Sequence, residues 1–237
     1  MQKMSATFEA RAAHLTQPHP EYDAKALAWE REQRALARRE EMRNRRETIA
    51  RQLPAGVRHA TIDGYELYSD AQRAVVERIK RLLTEMPQHL ENGGGLFCYG
   101  CCGTGKDHIA AVCIKRAAEL GRSCCATNGM RLFGDIAAAW RNGQTEMDVL
   151  APLLRCDVLL LSDPVLPTGN TDANQKSLYR LVNGRADAGR PTWATVNVAG
   201  REAAQDLLGP AVYSRLVFKA LCLYCAWEDY RERQIVR

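Results

Sequence analysis

The fold of this chain is decided by the stretch Leu96-Phe97-Cys98-Tyr99-Gly100-Cys101-Cys102-Gly103-Thr104-Gly105-Lys106-Asp107-His108. A short apolar run leads directly into a glycine-rich loop, and a helix is predicted to begin at Lys106. Backbone N–H groups of such a loop can surround a phosphate, and the lysine that closes it can reach the outer phosphates of a nucleotide. The sequence therefore predicts a cofactor site over residues 100–108, in which His108 has a structural role rather than that of a catalytic base.

The residue after the lysine departs from the usual pattern of such loops. Ser or Thr is normal there because its hydroxyl binds Mg²⁺, whereas this chain has Asp107. A second nucleotide element is expected at an apolar strand that ends in acidic residues, and residues 157–163 fit. Ser162 stands where an Asp usually supports Mg²⁺, and Asp163 follows where a carboxylate can polarise the attacking water.

We therefore expect Asp107, Ser162 and Asp163 to hold Mg²⁺, with the hydroxyl and the carboxylate in exchanged positions. The alternative is simple decay of the site, in which both changes weaken catalysis. Either way, a weak ATPase activity is the most that these motifs predict.

Predicted strands and helices alternate along the chain from residue 95 onward. The strands are expected at residues 96–99, 123–127, 157–161, 192–197 and 220–227, with helices at 106–119, 131–140, 174–188 and 202–208. Such alternation is typical of an α/β fold with a parallel sheet flanked by helices, and ligands bind such sheets at the carboxyl ends of the strands. At one of these ends Asn197 can hydrogen-bond the γ-phosphate or the attacking water.

A long, very polar helix is predicted over residues 20–52. Tyr22, Trp29 and Leu36 are spaced by seven, so they share one narrow face of this helix. The stripe marks either a solvated helix packed loosely on its own domain or an arm that docks on a partner, and large aromatics on a polar helix favour the arm. Leu53-Pro54-Ala55-Gly56 breaks the helix, so the predicted domains are an arm at 1–55 and a core at 56–237. The core begins with a helix that Ser69 and Gln72 cap.

Composition limits the classes of function. The chain has 237 residues, a net charge of +5 and nine cysteines. No apolar run reaches the roughly 18 residues that cross a bilayer, and the N-terminus lacks the apolar stretch of a secretory signal. These features favour a cytoplasmic protein without a membrane partner. The pairs Cys98/Cys101 and Cys222/Cys225 fit strand and loop positions better than a zinc site.

Several motifs together carry a resemblance to a known family. They are the arm sequence Ala26-Leu27-Ala28-Trp29-Glu30-Arg31-Glu32-Gln33, the phosphate loop, Leu207-Leu208-Gly209-Pro210-Ala211-Val212-Tyr213-Ser214-Arg215-Leu216 and Trp227-Glu228-Asp229-Tyr230-Arg231. The chain resembles the DnaC-type bacterial helicase loaders and, more loosely, the IstB-type transposition ATPases. Both are AAA+ proteins with a P-loop NTPase core.

The resemblance implies a role in replication initiation, in which ATP, Mg²⁺ and single-stranded DNA are used to deliver a hexameric replicative helicase to DNA. It implies that Tyr22, Trp29 and Leu36 bind the helicase and that Asn197 is the sensor residue. Arg215 would be the arginine finger of self-associated subunits, although Ala211 stands where relatives often carry a companion Arg. Two alternatives stay open: an IstB-like transposition ATPase, and a catalytically inactive nucleotide-binding adaptor.

Arginines after the second and third predicted strands are candidates for DNA binding. In a ring of subunits, repeated arginines can line a path for DNA phosphates. The candidates are Arg131, Arg141, Arg180 and Arg185. No aromatic-rich platform for single strands is evident, so contact with the DNA backbone is expected.

Overall fold

The structure is a computed structural model that describes residues 20–235, with side chains over residues 25–232. The contacts divide the chain into two units, Met1–Glu41 and Met42–Arg237. In order, the elements are α1 (Pro20–Ala50), a 3-10 turn (Ala55–Val57), α2 (Asp70–Glu91), β1 (Gly95–Gly100), α3 (Lys106–Glu119), β2 (Cys124–Asn128), α4 (Gly129–Arg141), α5 (Glu146–Arg155), β3 (Val158–Ser162), α6 (Asp172–Asp187), β4 (Thr192–Asn197), α7 (Arg201–Leu208), α8 (Pro210–Val217), β5 (Ala220–Cys225) and α9 (Tyr230–Ile235).

In the first unit the structure describes residues 20–41, which belong to helix α1, and the side chains described there, from residue 25 onward, face solvent. Trp29 is 62% exposed and Leu36 is 50% exposed. The helix is supported locally, for example by the Glu30–Arg34 ion pair at 3.2 Å. The side chain of Tyr22 lies outside the described residues.

The last turns of α1 belong to the second unit. Ile49 and Leu53 are 1% and 4% exposed, and both pack in the hydrophobic core. The Gln52 side chain also accepts a hydrogen bond at 2.9 Å from the backbone N–H of Ala126, on the outer strand β2. The helix ends where the Pro-Gly break predicts. These contacts nevertheless attach residues 49–53 to the core, although the sequence analysis assigned them to the arm.

The second unit contains a five-stranded parallel sheet in the order β2-β3-β4-β1-β5. Side chains alternate across it, so Leu96 and Cys98 of β1 join one core cluster and Phe97 joins the other. Helices α2 and α3 supply the first cluster, and α4 to α8 supply the second. The predicted parallel α/β fold, flanked by helices and preceded by an N-terminal helix, is confirmed.

The cap of α2 is also confirmed. The Gln72 backbone N–H donates to the Ser69 hydroxyl at 3.2 Å, and the Gln72 side chain accepts from the Ser69 N–H at 3.0 Å. This pair satisfies two donors that a helix start would otherwise leave unpaired. None of the helices in residues 20–235 has both the length and the apolar character that crossing a membrane requires.

Candidate nucleotide-binding site

The glycine-rich loop between β1 and α3 has a conformation that requires its glycines. Gly100, Gly103 and Gly105 have φ angles of 146°, 67° and 80°. A Cβ on Gly100 would lie 2.0 Å from the carbonyl oxygen of Cys225, and a Cβ on Gly105 would meet the Tyr65 ring at 2.6 Å. The loop is therefore held between β5 and the segment before α2, and it opens directly into the N-terminus of α3, where backbone N–H groups favour anions.

A cavity of about 630 Å³ opens in front of this loop. Its phosphate-loop wall consists of residues 102–108, and Asp163, Thr195 and Asn197 add polar groups from the ends of β3 and β4. The size is within the usual range for small-molecule sites, roughly 300–1,000 Å³. Seven of the nine predicted cofactor residues thus line one cavity, while Gly100 and Cys101, which precede them in the chain, do not.

The opposite wall comes from residues 56–72, which the sequence analysis did not assign to the site. Its lining residues include Gly56, Val57, Gly64, Tyr65 and Tyr68. Tyr65 donates a hydrogen bond through its hydroxyl to the carbonyl of Thr104 at 2.7 Å, and its ring contacts His108 edge to face at 5.3 Å. A glycine- and tyrosine-rich connection before the phosphate loop was the available sequence signal.

Two side chains of α3 anchor this wall. His108 donates from Nε2 to the carbonyl of Thr61 at 2.7 Å, and Lys115 donates to the carbonyl of Arg58 at 3.2 Å. Burial lowers the pKa of Lys115, and its carbonyl partners accept the ammonium protons. His108 therefore has a structural role in the site, through its contacts with Thr61 and Tyr65 of the opposite wall.

Lys106 is turned into the loop in this conformation. Its ammonium donates to the carbonyl of Gly100 at 3.1 Å and to the Thr104 hydroxyl at 3.3 Å, and the side chain is buried. The loop carbonyls thereby hold the charge next to the surface where phosphate oxygens would bind. A lysine in this place can stabilise the negative charge of a triphosphate.

Asp107 accepts a hydrogen bond from a hydroxyl group of β4. The Thr195 hydroxyl donates to Asp107 Oδ1 at 2.7 Å. Ser162 pairs in register with Thr195 on the neighbouring strand. Of the three predicted metal ligands, all of which the structure describes, Asp107 and Asp163 line the cavity and Ser162 does not.

The two carboxylates fit a divalent cation by their chemistry. Carboxylate oxygens are preferred ligands of Mg²⁺. The pKa of Asp163 is raised, first by burial and second by the negative charge of Asp107. A cation between the two groups and a phosphate would reverse this repulsion, since it would be the largest local charge in the site.

Asp163 and Asn197, which follow or end neighbouring strands, are in contact. The Asn197 side-chain amide nitrogen lies 2.8 Å from each carboxylate oxygen of Asp163. Asp163 has a φ of 42°, in the left-handed region, and its backbone N–H donates to the carbonyl of Thr195 at 2.9 Å. The backbone turn presents the carboxylate at the cavity, where Asn197 fixes its orientation.

Arg215 lies away from this cavity. It is on α8, donates to the carbonyl of Ala211 at 2.9 Å and lies 5.4 Å from the centre of the Tyr179 ring. It lines a second cavity of about 280 Å³, next to the first residues of β1 and β4. Because the phosphate loop follows the last residue of β1, Arg215 and the loop are at opposite ends of the parallel strands.

The prediction that Arg185 binds DNA is wrong. Arg185 is 0% exposed. Its guanidinium donates to the carbonyls of Leu153, Cys156, Asp157 and Pro191 and to the hydroxyl of Thr192. These acceptors occupy the guanidinium N–H groups that would otherwise contact a phosphate. Arg185 therefore links α5, α6 and β4 inside the protein.

The other three candidate arginines are on the surface. Arg131 pairs with Asp135 at 3.7 Å, Arg180 pairs with Glu146, and Arg141 is exposed at the end of α4. Their exposure is compatible with DNA contact, and the two ion pairs would have to open for the guanidiniums to reach phosphates.

Comparisons with known proteins identify the family. The family model for IstB-like ATP-binding proteins matches residues 11–236. The chain is 25% identical to the replicative helicase loader DnaC of Buchnera aphidicola (subsp. Acyrthosiphon pisum, strain APS), over 91% of this chain and 89% of the relative. The DnaC of Escherichia coli (strain K12) is 24% identical, over 87% of this chain and 86% of the relative.

Solved structures agree on the fold. A crystal structure of the DnaC helicase loader matches with a TM-score of 0.62 and 19% identity, covering 73% of this chain and 99% of that chain. The replication initiator DnaA, bound to AMPPCP and single-stranded DNA, matches with a TM-score of 0.57 and 16% identity, over 72% of this chain and 50% of that chain. The expected resemblance to DnaC-type loaders and IstB-type proteins, and the AAA+ fold, are confirmed. The chain belongs to the family of IstB-like ATP-binding proteins.

Proposed function

We propose that this protein is a cytoplasmic helicase loader, which binds a hexameric replicative helicase and uses ATP and single-stranded DNA to deliver it during replication initiation. The observation that carries the proposal is the length of the match to the two DnaC loaders, 91% and 87% of this chain, which extends well beyond the phosphate-loop region. A shared nucleotide site alone would not require such a match.

The site supports ATP as the cofactor. Residues 102–108 supply backbone N–H groups and Lys106 for the phosphates, and the wall around Tyr65 leaves room for the nucleoside. Asp107 and Asp163 would hold Mg²⁺, which supplies positive charge at the phosphates. Asp163 accepts a proton from water, Asn197 orients Asp163, and Arg215 serves a neighbouring subunit.

The arm is proposed as the helicase-binding element. Trp29 and Leu36 are large apolar side chains that face solvent on a polar helix. Tryptophan is enriched among the residues that dominate interfaces, where its removal costs about 2 kcal/mol or more, roughly a 30-fold loss of affinity. Single-stranded DNA is proposed to contact Arg131, Arg141 and Arg180 through its phosphates.

The experiment is a co-purification of the full chain with the replicative helicase of its host. Trp29→Ala should weaken the complex about 30-fold, whereas the control Trp140→Ala, which removes an exposed tryptophan from α4, should not. A chain without residues 1–41 should bind ATP but not the helicase. Equal binding by Trp29→Ala and wild type would refute the arm assignment.

A second candidate is an IstB-like transposition ATPase. The match to the IstB-like family model favours it. Its partner would be a transposase, and DNA would stimulate its ATPase directly. Capture of a transposase instead of the helicase in the same co-purification would select this candidate.

A third possibility, a catalytically inactive adaptor, is favoured by Asp107 in the phosphate loop. Under that proposal the protein would bind nucleotide without turnover. Single-turnover hydrolysis with excess protein distinguishes it from both ATPases.

A further inference from the structure

Two cysteines that are far apart in the sequence approach each other at the end of α5. The sulfur of Cys125, on β2, lies 3.9 Å from the carbonyl oxygen of Pro152, and the backbone N–H of Cys156 donates to the same carbonyl at 3.2 Å. The two thiols also lie within hydrogen-bonding reach of each other. A pair of thiols therefore connects β2 to the residue that ends α5.

The pair borders a buried positive charge. The Nη1 atom of Arg185 lies 3.4 Å from the sulfur of Cys156. The other acceptors of this guanidinium are backbone carbonyls and the Thr192 hydroxyl, and no carboxylate in residues 25–232 pairs with it. A buried charge without a counter-ion is costly. The two thiols are the groups beside Arg185 that can become the missing anion.

The electrostatics of the pair favour a thiolate at Cys125. A hydrogen bond from the Cys156 thiol lowers the pKa of Cys125 to about 7, with help from the charge of Arg185 and against the opposing effect of burial. The pKa of Cys156 is raised, first by its hydrogen bond with Cys125 and then by burial. A free thiol has a pKa of about 8.5, so at pH 7 it is only a few per cent ionised, whereas Cys125 is about half ionised.

Access to solvent differs between the two cysteines. Cys125 is half-buried on an outer strand of the sheet, whereas Cys156 is only 6% exposed. A reactive cysteine needs a positive environment and partial access, and a second thiol beside it can complete a disulfide. In the part of the chain that the structure describes, no three His, Cys, Asp or Glu side chains form a group that could hold a metal ion. The pair is therefore suited to redox chemistry rather than to metal binding.

We propose that Cys125 and Cys156 are a site of reversible oxidative modification, at which hydrogen peroxide converts the two thiols to a disulfide. The Cys125 thiolate attacks the peroxide, so that an S–O bond forms and the O–O bond breaks. The departing hydroxide takes up the proton that Cys125 released, and Cys125 becomes a sulfenic acid. The Cys156 sulfur then attacks the Cys125 sulfur, and the hydroxyl group leaves as water with the proton of Cys156. In total the two thiols lose two electrons, and the peroxide is reduced to two water molecules.

The modification goes beyond the proposed nucleotide chemistry and does not depend on it. In a reducing compartment such a pair is reduced at rest and oxidised only while peroxide is present, because other thiols attack and reopen the disulfide. The disulfide would covalently join β2 to the segment between α5 and β3. These are neighbouring parts of one core, so oxidation should produce a cross-link within a single copy of the chain.

The test treats the full chain with a small excess of hydrogen peroxide, blocks the remaining thiols with iodoacetamide and maps all nine cysteines by peptide mass spectrometry. A Cys125–Cys156 peptide pair is expected in the monomer band of a non-reducing gel, and dithiothreitol should release it. Cys125→Ser should abolish this cross-link and leave Cys156 as a free thiol. Cys156→Ser should stop the reaction at a sulfenic acid on Cys125, which dimedone traps.

The matched control is Cys124→Ser, which removes the neighbouring thiol on β2. Burial raises the pKa of Cys124 to about 12, so this variant should keep the Cys125–Cys156 cross-link. Cys101 and Cys102 of the phosphate loop are exposed and test whether access alone decides reactivity. Oxidation confined to these two residues, with Cys125 and Cys156 still free in the wild type, would refute the inference. A link between Cys124 and Cys156, or cross-links found only between copies, would refute the pairing.

Discussion

Removal of the arm should be tolerated up to residue 41 but not up to residue 52. The deletion 1–41 leaves every described core contact of α1 in place, because Ile49 and Leu53 lie beyond it. The deletion 1–52 removes the buried Ile49 side chain and the hydrogen bond between Gln52 and Ala126 of the edge strand β2. It also removes Arg46, which pairs with Glu119 at 3.3 Å.

The magnitude follows from these contacts. Loss of a buried isoleucine costs about 2–5 kcal/mol, and the hydrogen bond adds about 1 kcal/mol. The Arg46 pair is partly exposed and adds about 0–1 kcal/mol. Since domains are stable by only about 5–15 kcal/mol, a loss of about 3–7 kcal/mol removes a large part of the free energy of unfolding.

Urea unfolding followed by circular dichroism is the assay. With a slope of about 1–3 kcal/mol/M, the midpoint of the shorter protein should fall by at least about 1 M relative to the chain that begins at residue 42. In the full chain, Ile49→Ala should reproduce about 2–5 kcal/mol of the effect, whereas Leu36→Ala, at an exposed position, should have almost none. Equal midpoints for the two truncated proteins would contradict the assignment of residues 42–52 to the core.

Three further predictions concern the site. If the hydroxyl and carboxylate ligands of Mg²⁺ have exchanged positions, Asp107→Thr should weaken Mg²⁺-dependent ATP binding, and adding Ser162→Asp to that variant should restore it. Improved ATP binding and turnover in Asp107→Thr alone would instead favour decay of the metal site. Arg215→Ala should preserve ATP affinity but abolish assembly-stimulated turnover, an effect of about 10³–10⁵ in rate. Mixing the Arg215→Ala and Lys106→Ala proteins should recover activity, because one intact composite site can form. No recovery at any mixing ratio would refute the assignment of Arg215 as an arginine finger. The raised pKa of Asp163 means that its carboxylate, the form able to accept a proton, is lost at a higher pH than in a free Asp. Asp107→Asn should lower that pKa in a carboxyl-carbon NMR titration of the nucleotide-free protein, and no shift would show that burial alone raises it.

The elements of the fold could be predicted because their signals are local. The apolar run before the phosphate loop and the Ser69 cap require no knowledge of distant residues, and both are found as expected. Helix α5 was missed because Pro152 resembles a helix breaker, although a capping box at Thr145 marks its start. The β5 strand ends at Cys225, two residues early, before Trp227 turns to the phosphate loop.

The site could be predicted only where its residues follow from a motif. The Asp107–Thr195 contact joins positions 88 apart and depends on which strands are neighbours, which no single segment encodes. Arg185, by contrast, had a readable signal. It follows the buried Leu178, Leu181 and Val182 at helical spacing, so it lies on the buried face of α6.

The phosphate loop and Arg215 lie at opposite ends of the strands, and this placement determines how many composite sites an assembly of copies can contain. A contact that brings Arg215 of one copy to the loop of the next joins two unlike surfaces, so each copy keeps one surface of each kind free for another neighbour. An open row of n copies then contains n − 1 composite sites, and the copy at one end has a loop that no finger reaches. Turnover per subunit would therefore rise with the number of copies in an open row. Only closure of the row into a ring gives every copy a complete site, so turnover per subunit would also report whether the ring has closed.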